Sequence, residues 1–320
     1  MRVVDLFAGC GGLSLGFQNA GFDVVAAFEN WNMAADCYAQ NFRHPMYQCD
    51  LADTSTAIEN IRPLLPEAII GGPPCQDFSH AGKRVEASKA GLTGVFAEIV
   101  TVLRPKYFVM ENVDRAQKSA AYGVARRLFS AAGYGLTEVV LDASFFGVPQ
   151  RRKRFFCIGA IGQRDGFLEE SISRLKAPKA MTVRDYLGNT LDTEFYYRHP
   201  RNYSRRAIFS IDEPAPTIRG VNRPIPAGYP GHPNDACAVN EHTRPLTTSE
   251  RASLQTFPAN FRWIGSKTDK EQMIGNAVPV KLAEAVASAL ALYVEYDKQK
   301  YTGKLTLAVQ EAPVWSLLNA

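Results

Sequence analysis

Along the first half of the chain, short apolar runs alternate with stretches of helical spacing, and the breaks between them are brief. Residues 3–8 read as a strand, 9–12 as a tight turn and 13–20 as a helix closed by Gly21. A second strand over 23–28 ends at Glu29, a helix follows over about 33–41, and a short strand around Tyr47 ends at Asp50. Further strands are predicted at 68–70, at 107–110 running into Glu111, near 139–141 and at 154–161, with helices at 95–103 and 121–132. This alternation predicts an α/β fold with a parallel, doubly wound sheet and helices on both faces. Ligands of such sheets lie beyond the carboxyl ends of the strands, where Gly9, Glu29, Asp50, Cys75 and Glu111 all fall.

From about 176 to 263 the pattern changes. Prolines and glycines crowd in, as over 223–231, and helical periodicity disappears. This is the mark of a smaller, loop-rich second domain, and it carries Arg198, Arg201, Arg205, Arg206, Arg219 and Arg223 among tyrosines. Regular pattern returns with a helix at 249–255, a Gly275-Asn276-Ala277-Val278-Pro279 turn and an amphipathic helix over about 280–293. The expected division is a sheet domain over 1–175 plus 272–300, with the second domain and its hinge over 176–271. The later helix is expected to pack on the first sheet.

Composition narrows the class. A hydrophobic content of 46% with 21% charged residues describes a soluble globular protein with ample core. The net charge of +4 is too small to announce a polyanionic partner, so the bunching of arginines in the second domain matters more. Six cysteines are scattered without a CxxC pair, and the five histidines lack ligand spacing, so neither disulfides nor a metal site is expected. A reducing cytoplasm is the expected location. No signal peptide is visible, and no apolar run approaches the ~20 residues of a membrane span.

The chemistry gathers around Gly71-Gly72-Pro73-Pro74-Cys75-Gln76-Asp77-Phe78-Ser79. A cysteine where a buried strand opens into a proline-stiffened loop is held rigidly and open to substrate, although most lone cysteines are small buried hydrophobes. The turn Gly9-Cys10-Gly11-Gly12 lets backbone approach a ligand, but Ser14 stands where a dinucleotide fingerprint needs its third glycine. Glu29 is placed to accept two ribose hydroxyls, and Asp50 either accepts from an adenine amino group or caps a helix, a role that Asp53 or Thr54 also fits. A ribose and adenine site without a phosphate fingerprint suits S-adenosylmethionine better than NAD. Glu111 is either a salt-bridged surface carboxylate or a proton donor beside the thiol. Gln150-Arg151-Arg152-Lys153-Arg154 is either a solvated basic edge or a clamp, with Arg152 and Arg154 on one face of an extended segment.

These blocks together resemble the bacterial DNA (cytosine-5) methyltransferases. The matching residues are 5–12 (DLFAGCGG), 72–76 (GPPCQ), 111–113 (ENV), 150–154 (QRRKR), 244–258 with Arg244-Pro245-Leu246-Thr247 at its start, and 275–279 (GNAVP), in that family's order. The resemblance spans nearly the whole chain except about 163–240, where that family holds its target-recognition region. It implies a Rossmann-like, S-adenosylmethionine-dependent methyltransferase acting on a cytosine flipped out of double-stranded DNA, with Cys75 as nucleophile and Glu111 as the acid on the base. Arg152 and Arg154 are then expected near the base. Phe7, Ala8, Gly9, Gly11, Gly12, Glu29, Asn30, Asp50, Leu51, Pro74, Asn276 and Val278 are expected at the cofactor. Gln76 and Ser79 join the six arginines as the expected DNA contacts. The resemblance also implies a monomer serving a restriction-modification system. Asn30, followed by Trp31, stands where the family often has an aromatic residue, and Ala81 where some members carry serine. A tRNA methyltransferase and a non-catalytic DNA-binding relative are the rival readings. The first has a Cys-Phe-Thr block absent here, and intact Cys75, Glu111 and Arg152 oppose the second.

Overall fold

β1 (Arg2–Leu6) is buried from Val3 onward, and its apolar side chains point alternately into two different cores. That is the pattern of a strand covered on both faces. The structure, a computed structural model, describes residues 1–74, 91–188, 190–202 and 204–301, with side chains through 297. After β1 come α1 (Gly12–Asn19), β2 (Asp23–Glu29), α2 (Asn32–Ala39), β3 (Met46–Gln48), α3 (Thr54–Ile61) and β4 (Ala68–Gly71). α4 (Gly91–Leu103), β5 (Tyr107–Val113), α5 (Ala120–Ala131), β6 (Tyr134–Asp142), β7 (Gln150–Arg151) and β8 (Lys153–Ile161) follow. The main sheet has the order β3-β2-β1-β4-β5-β8-β6.

Strands β1 to β5 pair in parallel, as expected, but β8 lies antiparallel to both β5 and β6. The sheet is therefore mixed at one edge. Only residues 143–152 separate β6 from β8, fewer than the dozen or so that a parallel crossover needs, so the pair closes as a hairpin. α3 was not anticipated in the sequence. Asp53 caps it by accepting the Thr56 N–H at 3.2 Å.

The rest of the chain forms α6 (Glu169–Arg174), α7 (Val183–Leu187), β9 (Phe195–Tyr197), β10 (Ile208–Ser210), β11 (Ala215–Pro216) and β12 (Arg244–Pro245). α8 (Thr248–Leu254), α9 (Lys267–Asn276) and α10 (Val280–Tyr301) complete it. β10, β9 and β12 make a small sheet, with Tyr197, Ala207 and Ile208 buried on it. The strandless stretch after Arg219 is organised by Asp235, whose carboxylate accepts from Ala207 N, Ile208 N, Tyr229 Oη and His232 N at 2.6–2.9 Å. α8 and α9 begin with reciprocal capping boxes, Thr247 with Glu250 and Ser266 with Asp269.

α10 returns to the first sheet. Leu282, Ala283, Ala287 and Leu290 are fully buried in the core that contains Val3, Phe17 and Val109. A Cβ on Gly16 of α1 would sit 2.4 Å from Ala283 Cβ, so only glycine lets these helices approach so closely.

Candidate active site

The turn that ends β1 is built from left-handed backbone. Phe7 sits at φ 57°, Gly9 at 55° and Gly11 at 96°. For phenylalanine this conformation is strained, and such strain persists where the surroundings over-determine it. Gly11 and Gly12 have a second reason to be glycine. A Cβ would lie 2.3 Å from the Phe42 ring at Gly11, and 2.3 Å from the Val278 carbonyl oxygen at Gly12. Among the described residues nothing stands within 4 Å of the same position on Gly9, so they leave the turn open there.

Glu29, at the end of β2, holds this turn. Its Oε2 accepts the Gly9 N–H at 2.8 Å, while Oε1 accepts from Asn30 N at 2.9 Å and Trp31 N at 2.8 Å. A carboxylate has about four acceptor positions, so one remains for a ligand hydroxyl. Asp50, one strand further, is exposed and accepts only from the nearby Ala52 N–H at 3.0 Å among the described contacts. Asp53, not Asp50, supplies the helix cap. Leu51 is buried in the same core as Phe28, with Phe7 packed against it. Ala8 is buried with α2, Asn30 is exposed and Trp31 is half-buried at the start of α2. Val278 meets Gly12, and Asn276 beside it is exposed, accepting from Gln272 at 3.0 Å.

Two strands away, the second cluster forms at the ends of β4 and β5. Glu111 is 7% exposed, and Arg154 Nε on β8 pairs with its Oε1 at 2.8 Å. Burial pushes the Glu111 carboxyl up, while Arg154 and then Arg152 pull it back. Gly72 lies against this carboxylate, since a Cβ on it would be 3.1 Å from Oε2. Asn112 Nδ2 donates to the Pro73 carbonyl at 2.9 Å, fastening the start of the Gly72-Pro73-Pro74 loop beside the acid. Pro74 is exposed. Cys75, Gln76, Ser79 and Ala81 lie outside the described residues.

The basic block divides by residue. Arg152 is 1% exposed and donates to the carbonyls of Ile218 (2.9 Å), Gly275 (2.9 Å) and Ala277 (3.0 Å). Gln150 beside it accepts from Ile218 N at 2.8 Å and donates to Gln255 Oε1 at 2.8 Å. With the parallel pairing of β7 and β11, these bonds tie the β7–β8 segment, Ile218 and the C-terminal end of α9 into one buried polar seam. Neither a solvated edge nor a clamp describes Arg152. Arg154 alone of the two reaches the acid in an ion pair.

The arginines between 198 and 223 also separate. Arg206 pairs with Glu213 and lies over the Phe209 ring at 4.1 Å. Arg198 donates to the Thr217 carbonyl at 2.9 Å, and burial, then Arg219 nearby, lowers it to about 10. Arg219 donates to the His199 carbonyl. Arg201, Arg205 and Arg223 are exposed. Sequence reading missed two further polar groups. One is the buried Arg251–Glu271 pair joining α8 to α9. The other is Asp5, whose signal was a charge inside an otherwise apolar strand.

A carboxylate-held glycine turn and a buried acid–guanidinium pair on one rim of a doubly wound sheet define a Rossmann-like methyltransferase architecture. The family model for C-5 cytosine-specific DNA methylases matches residues 1–291, and the chain belongs to that family. It is 56% identical over 301 residues to the Type II methyltransferase M.HindV of Haemophilus influenzae, covering 93% of this chain and 98% of that one. Similarity to the Type II methyltransferase M.HgiDI of Herpetosiphon aurantiacus is 53% over 304 residues, covering 94% and 97%. Among solved structures, S. pombe Dnmt2 superposes with a TM-score of 0.70 at 18% identity, covering 92% of this chain and 99% of that one, a likeness of fold. The protein is a DNA (cytosine-5) methyltransferase.

Proposed function

We propose that this enzyme methylates carbon 5 of a cytosine flipped out of a specific double-stranded DNA sequence, with S-adenosylmethionine as methyl donor and Cys75 as nucleophile. The observation that carries the reading is the buried Glu111–Arg154 pair against Gly72, at the foot of the loop that leads to Cys75. The glycine turn fits the donor: among the described residues it is open above Gly9, Glu29 has an acceptor position left for a ribose, and exposed Asp50 is placed to accept from an adenine. Phe7, Ala8, Gly11, Gly12, Asn30, Leu51, Pro74, Asn276 and Val278 complete the proposed cradle. When bound, the cofactor supplies an electrophilic methyl group.

Carbon 5 of cytosine is a poor nucleophile. The Cys75 thiolate adds to carbon 6, forming a C–S bond and pushing electron density into the ring. Glu111, whose carboxyl is raised by burial, donates a proton at ring nitrogen 3 and stabilises that density. Arg154 holds Glu111 in place and faces the base, while Arg152 supports the pair from the seam behind it. After carbon 5 is methylated, loss of its proton to water re-forms the double bond, expels Cys75 as thiolate and returns the nitrogen 3 proton to Glu111. None of this proceeds in stacked DNA, so the base is extruded first.

Gln76, Ser79, Arg201, Arg205 and Arg223 are proposed to contact DNA, with Arg198 and Arg219 shaping the same face and Arg206 supporting it. The enzyme works as a cytoplasmic monomer that protects host DNA in restriction-modification. Cys75→Ala is expected to abolish methyl transfer and leave DNA binding within about threefold, as the thiol serves chemistry rather than the interface. A duplex with 5-fluorocytosine at the target should trap a covalent adduct, because fluorine does not leave as a proton does. Transfer by Cys75→Ala, or an active enzyme that forms no adduct, would refute the mechanism. Methylation of tRNA in preference to duplex DNA would move the substrate to RNA.

A further inference from the structure

Asp5 is fully buried in the central strand β1. Its Oδ2 accepts from Ser14 Oγ at 2.6 Å. Asp5 precedes the 7–12 turn and Ser14 follows it, so this one bond closes the turn at its base. Ser14 Oγ is also bonded to Tyr38 Oη at 2.7 Å, and Tyr38 Oη to His44 Nε2 at 2.6 Å. Tyr38 stacks on Phe42, and the two rings together close over Gly11. His44 is half-buried and brings the chain of bonds to the surface. At the other end Asp5 Oδ1 has no hydrogen-bond partner among the described residues.

Both hydroxyls donate and accept, so the chain is satisfied in either direction. With Asp5 ionised, His44 Nε2–H donates to Tyr38, Tyr38 to Ser14 and Ser14 to Asp5. With Asp5 protonated, Asp5 donates to Ser14, Ser14 to Tyr38 and Tyr38 to a bare His44 Nε2. Passing between the two shifts one proton along each link. Asp5 loses a proton at one end as Nε2 gains one at the other, and imidazole then exchanges it with water.

We propose that Asp5, Ser14, Tyr38 and His44 form a proton-conducting strut beneath the cofactor turn, and that ionised Asp5 is a positioning residue that favours the cationic methyl donor over its neutral demethylated product. This rests on the cofactor reading above. Burial, then the charge of Glu29, raises Asp5 to about 7, although the Ser14 bond opposes it, and burial lowers His44 against the pull of Asp23. Other titratable groups facing the chain are Glu29 on β2, Cys10 in the turn and Cys37 on α2. Burial pushes Cys10, Cys37 and Tyr38 up, which keeps them neutral through this range. Asp5 therefore changes charge near neutrality while enclosed in low dielectric, where a unit charge is weakly screened. The donor carries a positive sulfonium and the product does not, so their affinities respond differently to that charge.

The test is calorimetric titration of the full chain with S-adenosylmethionine and with S-adenosylhomocysteine from pH 6 to 8. The ratio of donor to product affinity should rise by about threefold or more across this range. Asp5→Asn, checked for folding by circular dichroism, should make the ratio flat. Tyr38→Phe should move the step to lower pH, because protonated Asp5 would leave the Ser14 O–H without an acceptor. A pH-independent ratio in the unaltered enzyme overturns the proposal without touching the cofactor reading, as does a step that survives in Asp5→Asn. Binding of neither compound at any pH overturns the cofactor reading, and the proposal with it.

Discussion

Replacing Arg152 and Arg154 separately by methionine should give opposite phenotypes from two arginines of one short block. Arg152→Met removes three donors from buried carbonyls. Ala277 O keeps the Gln255 amide at 3.2 Å, so the bonds lost without replacement are those to Ile218 O and Gly275 O. A buried acceptor left unpaired costs about 1–3 kcal/mol, giving roughly 2–6 kcal/mol for the two. Against this, removal of a guanidinium that burial already disfavours returns part of the cost. A net loss of about 2–4 kcal/mol is expected, a large share of the ~5–15 kcal/mol that holds a typical domain together. Arg154→Met instead removes the ion pair of Glu111. That carboxyl is already raised, so it takes up a proton rather than remaining as an unpaired buried charge. Stability should then fall by only about 1 kcal/mol, while methyl transfer drops about a hundredfold or more. Urea denaturation of both variants, beside single-turnover methyl transfer at a temperature where both are folded, separates the effects. An unchanged urea midpoint for Arg152→Met, or equal stability losses in the two variants, would show the seam argument to be wrong.

Gly12→Ala places a Cβ 2.3 Å from the Val278 carbonyl oxygen. The segment 277–279 after α9 must then retreat, at about 1–3 kcal/mol, and calorimetry should show S-adenosylmethionine binding weakened about tenfold, with wild-type affinity counting against the predicted contact. Alanine at Arg201, Arg205 or Arg223 should each flatten the salt dependence of DNA binding by about one unit of slope. Arg206→Ala should lower thermal stability and leave the slope alone, because its charge is committed to Glu213; a flattened slope there would reassign it. Asp5 also ties stability to pH. Its folded value of about 7 lies above the ordinary 3.8, so its contribution is complete below about pH 4 and is lost as pH rises toward 7. The loss is on the order of 4 kcal/mol, and urea unfolding at pH 5 and 8 should show less of it in Asp5→Asn than in the unaltered protein.

Much of this was legible in the sequence because strand, turn and helix signals are local. Gly9, Glu29, Asp50 and Glu111 do share one sheet rim, since a strand followed by a helix always presents its carboxyl end to the same side. The reversal of β8 was open to view in the short spacing between two apolar runs, yet the alternation of elements alone argued for a parallel strand. Six ordered blocks identified the chemistry. What they did not fix was the role of each residue within a block. Arg152 and Arg154 share one short extended segment, and nothing nearby in sequence distinguishes them.

Partners from far along the chain made that distinction. Ile218, Gly275 and Ala277 enclose Arg152, while Glu111 pairs with Arg154. In the same way Arg206 was one basic residue among several until Glu213 took its charge. Asp5 was an anomaly in an apolar strand until Ser14, Tyr38 and His44 lined up behind it. Periodicity and turn chemistry are set by neighbours in the chain, so the sequence alone determined the parallel part of the sheet, its rim and the blocks upon it. Burial and pairing of charge depend on which distant backbone and side-chain groups arrive at each site, and the tertiary structure alone decided those.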